Sequence, residues 1–369
     1  MQPISLFLCG DVMTGRGVDQ ILPHPSDPAL HEDYVLSALG YVALAESKHG
    51  TIPRSVAPEY IWGDALAELE RAKPDALIVN LETSVTASDD WLDKGINYRM
   101  HPANVACLTA AGIDCCVLAN NHVLDWGRAG LLETLDTLHA IGLRTAGAGR
   151  NGAEAHALAE IPLAQGGRVL VAAFGMPSSG VPPQWAATDD APGVEVLEDL
   201  SDHNAERIAR SVRAVKRPGD VVVASIHWGG NWGYAIGRAE RRFAHRLIEE
   251  SGVDIVYGHS SHHPKAIEVH AGKLVLYGCG DFVNDYEGIS GYESYRSDLG
   301  LMYFPTLDAA TGALVRLELV ATQMKGFRVQ RASVEDAQWL AELLEREGRP
   351  FDTRAQLRED GRIELVWGE

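Results

Sequence analysis

Apolar runs along this chain end repeatedly on one or two polar residues. The run 4–10 ends on Asp11, 76–81 on Glu82, 115–120 on Asn121 and His122, 221–226 on His227, and 255–258 on His259, with His262 close behind. Short apolar runs rich in β-branched residues read as buried strands. Between them, 62–72, 102–111, 128–140, 202–215 and 239–251 carry helical spacing, and Pro102 suits a first helical turn. The alternation from residue 4 to 257 predicts βαβ units and a mainly parallel, layered core. Further strands are expected at 143–146, 158–164, 168–174, 265–270 and 273–277, with a short helix near 151–156. The turns Gln165-Gly166-Gly167 and Ala271-Gly272 would close the paired strands into hairpins.

Three stretches lack periodicity. They are the proline-rich 23–58, then 176–195, and the Gly-, Tyr- and Ser-rich 284–298. Long loops of this kind either shape a site or decorate the surface. After residue 300 the pattern changes to strands at 300–306 and 312–322, a helix at 333–347 and a strand at 362–367. This predicts a main domain over 1–325 and a C-terminal helix–strand appendage over 326–369, packed on the same core.

With 46% hydrophobic residues in 369, the chain can fill a large core. Its net charge of -19 excludes non-specific nucleic-acid binding, which needs Lys and Arg against phosphates, and docking on an anionic membrane. No run has the length of a secretory signal or a membrane span, so a soluble cytoplasmic protein is expected. The cysteines Cys9, Cys107, Cys115, Cys116 and Cys279 form no C-x-x-C pair and are expected as buried free thiols. Cys279 lies near the candidate chemistry, where a packing role is expected rather than a catalytic one.

Strand ends are where open α/β sheets place their sites. Two carboxylates, Asp11 and Glu82, an amide, Asn121, and three imidazoles, His227, His259 and His262, suit a pair of borderline divalent cations such as Mn, Fe or Zn. Taken alone, each has a plainer reading: Asp11 as a helix N-cap, Glu82 as a solvated loop residue, His227 as a structural histidine. The run 119–127 is more specific. There Asn121 can ligate metal while His122 faces the substrate as an acid, with Asp125 holding its tautomer and raising its pKa. Arg16, Arg99 and Lys265 are candidates to bind a substrate anion, or are ion pairs of small energetic consequence.

The stretches Gly10–Arg16, Asn80–Glu82, Asn120–Gly127, His227–Gly229, Gly258–His262 and Tyr277–Phe282, taken together and in order, resemble the CapA family of capsule and poly-γ-glutamate synthesis proteins. That family is similar in fold to the calcineurin-like metallophosphoesterases. The resemblance implies an α/β, four-layer αββα sandwich with two mixed sheets and metals at the strand ends. It implies Glu82 as a bridging carboxylate, Asn121, His227 and His259 completing one metal, Asp11 and His262 serving another, and His122 as the acid. Metallophosphoesterases usually carry Asp-x-His in the first motif, where this chain has Asp11-Val12-Met13. The Asp11/His262 cation is therefore expected to be the weaker of the two. The implied activity is metal-assisted hydrolysis of a γ-glutamyl or related anionic substrate. A phosphoesterase on a small phosphorylated substrate and a non-catalytic accessory subunit of polymer synthesis or export are the alternatives. The sequence is silent on oligomeric state.

Overall fold

Two β-sheets lie face to face in the computed structural model, which describes residues 2–368. The period-2 pleat explains why both faces of each sheet are apolar. In the strand Ile4–Cys9, Ile4, Leu6 and Leu8 point between the sheets, while Phe7 and Cys9 point outward under helices. In Arg168–Gly175, Val169, Val171 and Ala173 point between the sheets, and Leu170, Ala172 and Phe174 point outward. Helices Ala38–His49, Ala65–Ala72, Ala106–Ala110 and Gly127–Ala140 cover the first sheet. Helices Asp202–Val215 and Arg238–Ser251 cover the second. The result is an α/β sandwich of four layers, αββα.

The first sheet has eleven strands along the order 281–283, 11–12, 76–81, 4–9, 299–307, 314–324, 362–367 and 353–357. Strands 115–117 and 144–146 continue it from 76–81, and 329–331 pairs with 314–324. The second has six strands, 267–270, 273–276, 255–259, 221–227, 168–175 and 159–162. Its four central strands are parallel, and the two expected hairpins close its edges antiparallel. Both sheets are thus mixed.

The parallel registers bring the functional strand ends level. Asp11 stands opposite both Asn80 and Asp281, and His227 stands opposite His259. The two sheets therefore deliver their polar ends to one rim.

The structure departs from the sequence reading in places. The stretch 23–58 contains the helix Ala38–His49, whose buried Ala38, Tyr41, Val42 and Ala45 do have helical spacing. Flanking prolines at 28 and 53 obscure it. The helix expected at 102–111 divides into a 3₁₀ turn, Pro102–Asn104, and a short α-helix, Ala106–Ala110. Strands Val329–Arg331 and Thr353–Leu357 were not legible.

Strand Arg362–Trp367 pairs with Leu314–Met324, and Leu340, Ala341, Leu343 and Leu344 of helix Val334–Gly348 enter the cluster between the sheets. All five cysteines are free and buried. Among the described residues, no helix is long and apolar enough to cross a membrane.

Candidate metal centre

Each candidate ligand is held by the backbone that ends its strand. Asp11 opens the short strand Asp11–Val12 and is fully buried, which sets aside its reading as a helix cap. Its Oδ1 accepts from Asn80 Nδ2 at 2.8 Å and meets His259 Nδ1 at 2.7 Å. Glu82 lies beyond the strand Ala76–Leu81, 3.3 Å from the same Asn80 amide. Asp11, Glu82 and His227 each offer a ligand atom within 4.8 Å of the others.

Among the described residues, the buried polar atoms without a hydrogen-bond partner include four at this rim, Asp11 Oδ2, Asn121 Oδ1, His227 Nδ1 and His259 Nε2; His263 Nε2 and Asn97 Oδ1 are likewise unpartnered. Buried polar atoms are nearly always satisfied, so this concentration at one rim is informative. The donor set of carboxylate, amide and imidazole suits a borderline divalent cation, and the residues fit one.

The charges point the same way. Burial and the nearby Asp11 carboxylate hold the Glu82 carboxyl well above its ordinary range. Burial also raises Asp11, but His259 and His227 outweigh it and keep Asp11 ionised. Burial lowers the pKa of His227 to about 3, leaving a neutral imidazole fit to ligate. Two buried carboxyls this close cannot both ionise unaided: without a cation one of them holds a proton, and a bound cation would take that proton's place.

His262 stands at the edge of the group. Its Nδ1 faces Asp281 Oδ1 at 2.9 Å, and its Nε2 faces Asn231 at 3.1 Å. Burial opposes charging of His262, but Asp281 wins and raises its pKa. The Met13 sulfur accepts from the Tyr286 hydroxyl at 3.6 Å.

The run 119–127 folds as a tight turn around Asn120. Its Oδ1 accepts from the backbone of His122 and Val123, and its Nδ2 donates to Asn80 Oδ1 and the Leu81 carbonyl. This locks the two ligand-bearing strand ends together. His122 Nδ1 meets Asp125 Oδ2 at 2.6 Å, leaving Nε2 facing Glu82 at 3.8 Å. Asp125 does push the His122 pKa upward, as its position suggests. Burial, assisted by Lys94, prevails and lowers it to about 4.

The basic candidates lie elsewhere. Arg16 is buried between Asp285, at 2.5 Å, and Glu32, at 2.8 Å, with its guanidinium over the Tyr41 ring. Arg99 bonds the Ser88 carbonyl and Asp89 and stacks on Trp126. Lys265 is buried, which lowers its pKa despite Glu240.

A cavity of about 580 Å³ opens onto Glu82, Asn121, His122, His227 and His262. None of Arg16, Arg99 and Lys265 lines it; Lys94 does. A second cavity of about 420 Å³ shares Ile96, Asn231, His262 and Tyr286 with it, and Arg16 lies on that wall. Sequence reasoning missed Lys94, Asp281 and Tyr286. Asp281 alone carried a signal, at the end of the Gly278-Cys279-Gly280 turn.

The family model described as bacterial capsule synthesis protein PGA_cap matches residues 5–286. A probable polyglutamine synthesis accessory protein of Mycobacterium tuberculosis (strain H37Rv) is 47% identical over 365 residues, 98% of this chain and 96% of its own length. The PGA biosynthesis protein CapA of Bacillus subtilis (strain 168) is 28% identical over 285 residues, 76% of this chain and 63% of its own length. Among solved structures, a phosphatase from Mycoplasma pneumoniae aligns with a TM-score of 0.48 and 12% identity, covering 87% of this chain and 94% of that one.

Proposed function

We propose that this chain, which belongs to the bacterial capsule synthesis protein PGA_cap family, is a metal-dependent hydrolase acting on a γ-glutamyl or related anionic amide. The observation that carries this reading is the set of buried, unpartnered atoms Asp11 Oδ2, Asn121 Oδ1, His227 Nδ1 and His259 Nε2 beside Glu82. Glu82 would lie between two cations, with Asn121, His227 and His259 completing one site. Asp11 and His262 would serve the other, weaker one. Bound divalent cations supply a Lewis acid and make an attacking water more acidic.

The protein's own groups do the rest. Asp11 fixes the proton of His259 on Nδ1, so Nε2 keeps its lone pair for a ligand bond. Asp125 fixes the proton of His122 on Nδ1 in the same way. His122 Nε2, neutral at rest, takes a proton from the attacking water and hands it to the leaving nitrogen. The names of the relatives, polyglutamine synthesis and PGA biosynthesis, support a γ-glutamyl substrate. Turnover of a γ-glutamyl anilide, set against an aryl phosphate, tests this. Activity on the phosphate alone replaces the amide reading with a phosphoesterase.

The word "accessory" in the name of the 47%-identical relative favours a second reading, a non-catalytic subunit of polymer synthesis. Undiminished biological function in a His122→Ala variant would select it.

A further inference from the structure

We propose that Lys94, flanked by Trp185, forms an anion subsite beside the metal cavity that takes a negatively charged oxygen of the substrate, carboxylate or phosphate. This rests on the hydrolase reading above for its setting, but not for its measurement.

The argument begins with elimination. An anionic substrate needs a basic partner at the cavity, yet neither Arg16, held between the buried Asp285 and Glu32, nor Arg99, bonded to Asp89 and the Ser88 carbonyl, lines it. Lys265 lies outside the cavity lining. Among the described residues lining the metal cavity, Lys94 is the single Lys or Arg; the other charged side chains there are Glu82, Asp93 and the titratable His122, His227 and His262.

The donor inventory of Lys94 is incomplete. An ammonium has three protons. One goes to Asp125 Oδ1 at 2.6 Å and one to the Asn121 carbonyl. The third has only His122 Nδ1 nearby, at 3.4 Å. That nitrogen's own proton points to Asp125 Oδ2, so it cannot accept. One donor is therefore left to the cavity, and the side chain keeps 24% exposure, enough for a ligand to reach it.

Trp185 lines the same cavity, with its ring 5.4 Å from the ammonium. An apolar wall lowers the local dielectric and strengthens a charge-assisted hydrogen bond. The subsite also adjoins His122, so an oxygen bound there lies next to the proton-transferring imidazole. Phosphate and carboxylate share this chemistry, and the test separates them.

Binding of inorganic phosphate and of glutarate is measured by calorimetry on wild type, Lys94→Met and Lys94→Arg, with metal content determined on the same samples. Loss of one charge-assisted hydrogen bond predicts roughly ten- to hundredfold weaker binding in Lys94→Met, with partial recovery in Lys94→Arg and unchanged metal content. The preferred anion identifies the substrate's acid. Equal affinity in wild type and Lys94→Met overturns the subsite, as does a metal-loaded wild type that binds neither anion. Lys94-dependent binding in a protein without metal upholds the subsite while removing the hydrolase reading. Should Lys94→Met fold poorly, Lys94→Gln replaces it, judged by the same comparison.

Discussion

His259 Nδ1 and Asp11 Oδ1 stand 2.7 Å apart although 248 residues separate them in sequence. The contact joins the first sheet to the second and sets the His259 tautomer. Asp11→Asn presents an amide in place of the carboxylate and loosens that control. Loss of an orienting partner typically costs 10–100-fold in metal affinity, and Asp11 is also a proposed ligand, so a loss of at least about tenfold is expected, measured by competition with a chromophoric chelator.

Asp125 holds three groups at 2.6 Å: His122 Nδ1, the Lys94 ammonium and the Tyr98 backbone N–H. Asp125→Asn removes the charge that keeps His122 oriented. Positioned proton transfer contributes typically 10²–10⁴-fold, so turnover should fall by roughly that range while metal content stays at the wild-type level. Steady-state kinetics and metal analysis on one preparation check both halves.

A group outside the metal centre makes acid sensitivity measurable. Burial pushes Glu268 upward, but bonds from Tyr277, His245 and Arg241 outweigh it and hold its pKa below the ordinary 4.5. Its contribution to stability is therefore fully present above the unfolded-state pKa. It is lost as pH falls through the depressed folded value. Glu268→Gln should be less stable than wild type near neutrality, with the gap closing below about pH 4. Urea unfolding at the two pH values reads the difference, and a constant gap would be the wrong outcome.

Helix Val334–Gly348 packs its leucines into the cluster between the sheets, with Leu344 only 2% exposed. Leu344→Ala should cost about 2–5 kcal/mol by removing buried methyls and leaving a cavity. A chain ending at residue 325 should aggregate, since it bares the apolar residues this helix covers. Chemical denaturation of the first and gel filtration of the second check these outcomes.

Much of the site was legible because apolar strands impose a strict pattern. Once Val221–Ile226 reads as a buried strand, the polar His227 that ends it has few places to go except the rim. The same logic exposed Asp11, Glu82 and His259. It failed for Lys94, which comes from the loop between Val85 and Arg99, where no period marks which side chain turns inward. It failed differently for Arg16, whose neutralising partners Glu32 and Asp285 lie in two aperiodic stretches far apart in the chain. Ala38–His49 was hidden because prolines nearby mimic a loop, although its buried positions follow helical spacing. The four layers were readable through family resemblance. Periodicity alone indicated only a mainly parallel layered core, since it does not say which sheet a strand joins.

The account's central claim is that the rim of Asp11, Glu82, Asn121, His227 and His259 holds metal. The most direct test is metal analysis of purified protein after incubation with Mn, Fe or Zn and removal of excess, alongside a Glu82→Ala/His259→Ala double variant whose fold is verified by circular dichroism. The account predicts one or two divalent ions per wild-type chain and their loss in the folded variant. No bound ion in wild type, or equal content in both proteins, would contradict it.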